Sequence, residues 1–288
     1  MKAMTMLDTL SSVLGTPVGA IPLSSCRPAR RYLLDRAGIG EGGTALLFCI
    51  PYVMIRDVDE PDRNLSLYAV PRDYHAYVRA LDAALIPHMT ESFPGHRFAL
   101  FADHSPIREV DAAARAGLGV RGENGLLLTP QYGSFVFIAS LITDAGYAEA
   151  TGGTDGDGTN IPDEAPSCEG CGACHRACPA GGDCLSALTQ KKEAFADDEA
   201  ERLLGHALVW GCDTCQLVCP HNRRVIAAGT DTPIPYFREA RLSRLSTAVL
   251  DAMDDAAFSE RAYAWRGRAV IRRNLALRET NDAKEEES

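Results

Sequence analysis

The sequence predicts a two-domain globular protein of mixed helix and strand, with a cysteine-rich module after its first domain. Three observations carry that reading. A length of 288 residues at about 150 per domain gives two domains, and an apolar share of 46% is enough to bury a full core. In the first half, short apolar runs with strand character alternate with a stretch of helical period. Eight of the ten cysteines crowd between Cys168 and Cys219. The balance of charged and aromatic residues excludes a disordered or fibrous chain. The longest apolar runs, 44–55 and 134–143, fall short of the roughly 18 residues a membrane span needs, so no contact with a membrane is expected.

Residues 44–51 (TALLFCIP) and 97–103 (RFALFAD) read as strands, and 71–88 has the apolar spacing of a helix. Ser105 followed by Pro106 reads as the cap and first position of a helix that runs through Val110 to Arg115 and ends at Gly117. Asp103 therefore stands where a strand stops and a helix begins. Asn124-Gly125 marks a turn before Leu126–Leu128, and 132–143 supplies another strand. The stretch 151–166 (TGGTDGDGTNIPDEAP) has almost nothing to bury and reads as a linker. The expected organisation is a first domain over 1–150, the linker over 151–166, a cysteine module over 167–224 and a helical, Arg-rich segment over 225–288 with a frayed acidic end. No repeat of 20 to 50 residues recurs, which excludes a helical repeat array within this sequence.

The net charge of -10 is unevenly spread. From Leu141 to Gly205 there are thirteen acidic residues against four basic ones, and from His221 to Glu279 eleven arginines against seven acids. Binding nucleic acid by electrostatics alone calls for a basic balance, so the total argues against it, while a local arginine face could still meet phosphates or simply be solvated. The N-terminal apolar stretch is broken by Asp8, Pro17 and Pro22, which makes a poor secretion signal. A cytoplasmic location is expected. That compartment keeps thiols reduced, so clustered cysteines there indicate metal or redox chemistry.

Cys168, Cys171, Cys174 and Cys178-Pro179 form a C-x2-C-x2-C-x3-C-P run, in which three thiolates wrap one cubane cluster and the fourth reaches a neighbour. A zinc site would use four ligands, usually as two separated pairs, and would leave the tight triple unexplained. With Cys184, Cys212, Cys215 and Cys219-Pro220 the set reaches eight, the number two [4Fe-4S] clusters require. Exchange of the fourth ligand assigns Cys168, Cys171, Cys174 and Cys219 to one cluster and Cys178, Cys184, Cys212 and Cys215 to the other. A buried free thiol is the alternative for Cys184. Cys49, inside an apolar strand, reads as a core residue.

Gly211-Cys212-Asp213-Thr214-Cys215-Gln216-Leu217-Val218-Cys219-Pro220-His221-Asn222 resembles the G-C-D-x-C-Q-x-x-C-P-x-N signature of the epoxyqueuosine reductase family. Phe101-Ala102-Asp103-His104-Ser105-Pro106, Ala114-Arg115-Ala116-Gly117-Leu118-Gly119, Tyr132-Gly133-Ser134-Phe135, Thr143-Asp144 and Arg72-Asp73-Tyr74-His75 are similar to other stretches of that family, so the resemblance runs from about Thr44 to Leu277. It implies an α+β corrinoid-binding reductase domain beside a ferredoxin-like module with two [4Fe-4S] clusters, and a short helical C-terminus. It also implies a cobalamin-dependent reductase that removes an epoxide oxygen from a modified tRNA base, with electrons from an external donor. By resemblance Asp103 matches the family's proton-donating carboxylate, a role that opening an epoxide needs and that burial against a corrin ring would favour. The alternative is that Asp103 caps the following helix. Tyr68, Arg121, Asn124 and Ser134 are candidates for the corrinoid pocket.

The sequence also departs from the family. Gly119-Val120-Arg121-Gly122-Glu123 stands where G-W-x-G-K is usual, His221 where Trp follows the last Cys-Pro, and Leu67 where Arg is common. The HEAT-type repeats with which many members grip tRNA are not seen. Two other readings therefore remain: the same chemistry on a small molecule, and a two-cluster electron carrier whose first domain is a docking scaffold.

Overall fold

The computed structural model describes residues 4–153, 161–179 and 183–286 of an α+β chain. It divides into two compact units, Met1–Pro51 with Tyr77–Cys171, and Tyr52–Ala76 with Gly172–Ser288. The expected first domain ran unbroken over 1–150. In the structure, residues 52–76 are counted with the second unit, and the later division falls at Cys171, inside the cysteine run.

In the first unit the order is α1 (Met6–Leu14), β1 (Val18–Pro22), α2 (Tyr32–Ala37), β2 (Thr44–Pro51), α3 (Tyr74–Ser92), β3 (Phe98–Ala102), α4 (Glu109–Arg115), β4 (Val120–Arg121), β5 (Leu127–Leu128), β6 (Val136–Thr143) and α5 (Tyr147–Thr151). The first turn of α3 is counted with the second unit. A reciprocal capping box between Thr5 and Asp8 starts α1, and left-handed Gly15 ends it. The main sheet has the order β1-β2-β6-β3, antiparallel throughout, and β4 pairs with β5 in a separate ribbon. Ala45, Leu46, Leu47 and Phe48 are all buried, because β2 is central and covered on both faces. Its sequence is accordingly a continuous apolar run rather than an alternating one.

Helix α4 lays Ala112, Ala113 and Ala114 into a core with Ile21, Ala45, Leu47 and Ile142. Small residues let it lie low on the sheet. A Cβ on Gly19 of β1 would come within 2.4 Å of the Ala116 carbonyl oxygen, so glycine is required there.

Two expected boundaries move, each because the backbone finds other partners. The helix after Asp103 begins at Glu109, not at Pro106, and its N-cap is Arg108 with no side-chain cap. Residues 106–108 are used in extended pairing: the Pro106 carbonyl accepts from the Ala29 and Arg30 amides, Pro28 bridges Ile107, and the Arg108 amide donates to the Arg27 carbonyl. Likewise β6 begins at Val136, because Thr129 and Gly133 exchange both backbone hydrogen bonds and close a turn ahead of it.

Of the expected linker, residues 154–160 lie outside the described residues. Its end packs onto the first unit, where Ile161 and Ala165 join the α4 core and the Pro162 carbonyl accepts from Arg115 Nε at 2.6 Å.

The second unit takes residues 52–76 together with α6 (Ala173–Ala177), α7 (Leu185–Thr189), α8 (Asp197–Leu204), α9 (Thr214–Leu217), α10 (Pro220–Ala227), α11 (Pro235–Arg238), α12 (Thr247–Ala252), α13 (Asp255–Ser259) and α14 (Arg268–Glu286). Its core joins Leu65, Val70, Trp210, Leu250, Tyr263, Ile271 and Leu275. Leu65 makes a parallel bridge with Trp210, and the Ser66 amide donates to the Trp210 carbonyl at 2.9 Å. Three arginines of α14 serve as internal joints, while Arg272 stays exposed in an ion pair with Asp251. Arg268 donates to the Leu250 and Met253 carbonyls, Arg273 to that of Lys191 and Arg278 to that of Leu204. Several of these are carbonyls that helix ends leave open. The acidic end expected to fray continues α14 as far as Glu286. No helix of the described residues is long and apolar enough to cross a membrane.

Candidate functional site

Asp103 follows the last residue of β3, an edge strand that hydrogen-bonds only to β6. Its side chain is exposed, and its φ of 61° lies in the left-handed region, one of two such non-glycine residues among those described. That conformation costs a non-glycine residue roughly 1–2 kcal/mol, and such strain gathers at functional sites. Asp103 does not cap α4, whose N-cap lies five residues on, so the capping alternative is overturned. Beside it, His104 Nε2 lies 2.9 Å from the hydroxyl of Tyr32, which is itself half exposed.

The sequence reading missed Glu109, the first residue of α4. Both of its carboxyl oxygens accept from the Asp103 amide, at 3.1 and 3.0 Å. Burial pushes its pKa up to about 8, with the charge of Asp103 adding to that rise and the hydrogen bonds and Arg30 opposing it. Glu109 is thus the partly buried carboxyl group of this turn, while Asp103 stands in solvent. The sequence signal was an acid six residues after Asp103, and it was hidden because the helix was started at Pro106.

The corrinoid candidates differ in their surroundings. Arg121 has an exposed side chain, but its backbone is committed: its amide donates to the Pro166 carbonyl at 2.7 Å and its carbonyl accepts from the Cys168 amide at 3.0 Å. This ties β4 to the start of the cysteine run. Asn124 Oδ1 accepts from the Leu126 amide across the turn expected at Asn124-Gly125, and Asn124 Nδ2 is a buried donor with no hydrogen-bond partner among the described residues. Ser134 is buried in the same unit. Tyr68 belongs to the second unit, where burial raises its pKa and it packs against the core that holds Trp210.

None of the ten cysteines is in a disulfide. Cys26 and Cys49 are pushed up to about 12 by burial, which keeps them protonated and sets them apart from thiolate ligands. Among the other eight, Cys171 is flanked by Gly170 and Gly172, both left-handed. Cys174 lies in α6 and Cys178 is its C-cap, Cys184 is the N-cap of α7, Cys215 lies in α9, and Cys219 is the N-cap of α10 with Pro220 at the first helical position. Helix α6 packs against α9, and Cys212 packs on the Leu185, Leu188 and Leu203 cluster that α7 helps to build. Cys184 is exposed, which overturns its reading as a buried free thiol.

Much of the resemblance signature is scaffolding for these thiols. Asp213, buried to 1% exposure, accepts from Arg63 at 2.7 Å, from the Ser66 hydroxyl, and from the Leu67 amide at 3.2 and 3.0 Å. Gly211 has a φ of 78°, and a Cβ there would lie 2.4 Å from that of Ser66. The Gly211 amide donates to Thr189 Oγ1, and its carbonyl lies 3.2 Å from His206 Nε2. Asn222, fully buried, donates to the Gln216 carbonyl, while Asn274 of α14 donates to the Thr189 and Val209 carbonyls. The loop bearing Cys212 and Cys215 is therefore clamped from residues 63–67, α7 and α14 at once.

No protein-family profile matches the chain. Curated proteins do. The chain is 35% identical to the epoxyqueuosine reductase of Listeria monocytogenes over 224 residues, which is 71% of this chain and 54% of that protein. It is 34% identical to the Escherichia coli enzyme over 172 residues, 55% of this chain and 41% of that one. The Bacillus subtilis enzyme is 31% identical over 231 residues, 74% and 55% of the two chains. The chain thus spans about half the length of the curated relatives it matches. Solved structures match the fold across 96% of this chain and 80% of theirs. They include an epoxyqueuosine reductase with an epoxyqueuosine-modified tRNA-Tyr stem loop, at 22% identity and a TM-score of 0.69. Another is the Bacillus subtilis enzyme with its catalytic aspartate loop swung out of the active site, at 21% and 0.66.

Two predictions follow from this geometry. Asp213→Asn leaves the Arg63 guanidinium, 7% exposed, without its counter-charge, and should cost about 3 kcal/mol or more of stability, read as a lowered unfolding midpoint together with lowered iron content. Glu109 has a folded-state pKa above its ordinary value of 4.5, so its contribution to stability is fully present below about pH 4.5 and is lost as pH rises towards 8. Denaturant titrations of Glu109→Gln between those limits should show a flatter dependence on pH than the unaltered chain.

Proposed function

We propose that this chain, a relative of the epoxyqueuosine reductases along the residues it shares with them, is a corrinoid- and iron-sulfur-dependent reductase acting in the cytoplasm. Its substrate is the epoxide of epoxyqueuosine in tRNA, which it converts to queuosine. The observation that carries this reading is Asp103, an exposed carboxyl group held at a strand end in a conformation its backbone resists.

The thiols suit two [4Fe-4S] clusters in number and chemistry: eight cysteines outside any disulfide, with Cys178, Cys184, Cys212 and Cys215 on elements that pack together. By ligand exchange these four hold one cluster, and Cys168, Cys171, Cys174 and Cys219 hold the other. For the corrinoid, the unpaired donor of Asn124 is what a polar ring substituent would satisfy, and Tyr68, Arg121 and Ser134 are the further contacts proposed. When bound, the corrinoid supplies the strongly reducing centre, recharged through the clusters from an external donor.

The chain itself manages protons and position. Reducing an epoxide to an alkene takes up two electrons and two protons and releases water, and Asp103 delivers a proton to the departing oxygen. The swung-out loop of the Bacillus subtilis relative supports reading the Asp103 turn as an element with two positions. The tRNA stem loop bound by another relative supports the same substrate class here.

Anaerobically reconstituted protein should hold close to eight irons and eight acid-labile sulfides, by analogy with two cubane clusters of four each. Asp103→Asn should keep both clusters and bind cobalamin with an unchanged absorbance spectrum. Its turnover of epoxyqueuosine-modified tRNA should fall by about 100-fold or more, the usual weight of a positioned proton donor. Near-normal turnover by that variant would make Asp103 structural, and failure to bind cobalamin at all would favour the electron-carrier reading.

A further inference from the structure

Asp103 is gripped on both sides of its own residue. Its amide is donated to the two oxygens of Glu109, at 3.1 and 3.0 Å, and its carbonyl accepts from Arg30 at 3.4 Å. The two grips differ in quality. Arg30 is exposed and makes a long contact, whereas Glu109 is partly buried and makes two short ones. Glu109 is also anchored, being the first residue of a helix whose alanine face is packed into the sheet core. Left to itself, a non-glycine residue at a φ of 61° relaxes to a negative φ, and it stays only where its surroundings over-determine it.

We propose that Glu109 is the positioning residue of this site: its carboxyl group latches the Asp103 amide, holds the turn in its left-handed form and sets how long the Asp103 carboxyl group is presented to substrate. The inference rests on reading Asp103 as the proton donor. The groups facing the latch are Asp103, Ser105 and Arg30. His104 and Tyr32 lie at the next residue of the turn. As a neutral acid, Glu109 adds no second negative charge beside Asp103. Its ionisation near pH 8 would add one, while strengthening the hydrogen bond from the Asp103 amide, which favours the charged form.

Hydrogen exchange followed by mass spectrometry on the cluster-loaded full chain tests the latch without corrinoid or substrate. In peptides covering residues 100–106, Glu109→Ala should raise exchange about tenfold or more, with β6 peptides unchanged. In an Asp103→Gly background the same substitution should change little, because glycine adopts a positive φ unaided. A merely structural glutamate would give equal effects in both backgrounds. Glu109→Gln, which keeps an acceptor oxygen, should give intermediate exchange, and it carries the test if the alanine variant does not fold. Turnover should follow, with kcat of Glu109→Ala down about tenfold and cobalamin binding unchanged. Unchanged exchange over 100–106 in a folded Glu109 variant overturns the latch. Raised exchange together with an active Asp103→Asn would leave the latch standing and remove the proton-donor reading instead.

Discussion

A buried carboxylate organises the second unit. Asp213 has almost no contact with water, and its two oxygens are shared between one guanidinium, one hydroxyl and one backbone amide, all supplied by residues 63–67. A lone charge at such a site would be costly. What makes it tolerable is that every donor comes from a single short segment, some 150 residues earlier in sequence, so satisfying the charge also fixes that segment. The consequences spread outward. Residues 65 and 66 are set against Trp210, Trp210 sits in the core with Tyr263, and Gly211 is pressed so close to Ser66 that no side chain fits. Cys212 and Cys215, on either side of Asp213, inherit their placement from this arrangement. The proposed cluster ligands need no strong interactions of their own in the absence of iron.

The Asp103 turn follows the opposite logic. Where Asp213 is over-satisfied and enclosed, Asp103 is exposed, strained and held by groups that grip its backbone while leaving its carboxyl group untouched. The role proposed for Asp103, acting on a passing substrate, requires its reactive atoms to stay uncommitted and the hydrogen bonds that position it to fall elsewhere. Glu109 and Arg30 meet that requirement by taking the amide and the carbonyl. The two acids illustrate how one residue type serves two ends according to which of its atoms the protein engages.

The features legible in the sequence were those encoded locally. The runs that became β2, β3 and β6 are apolar over neighbouring positions, the turn at Asn124-Gly125 is written in two residues, and the cysteine spacing announces its chemistry within eleven. What escaped was encoded at a distance. Nothing near Asp213 says that its partners are Arg63 and Ser66, so a residue of the signature read as part of a motif is in fact a structural clamp. The Ser105-Pro106 pair is a sound helix start by local rules, and it failed because the backbone at 106–108 is spent on pairing with residues 27–30. That misplaced start concealed Glu109. The arginines from His221 to Glu279 were weighed as surface or phosphate contacts, whereas Arg268, Arg273 and Arg278 spend donors on carbonyls of the chain.

Because the chain passes between its two units three times, neither is a continuous stretch, and this orders events during synthesis. Residues 52–76 leave the ribosome early, carrying Leu65, Leu67 and Val70, yet the partners that bury them begin only at Gly172. At roughly 5–20 residues per second, that segment waits on the order of 5–20 seconds with apolar surface uncovered. The first unit meanwhile closes its sheet once β6 has emerged. The nascent protein therefore carries a tethered apolar loop beside a first unit whose strands are already paired.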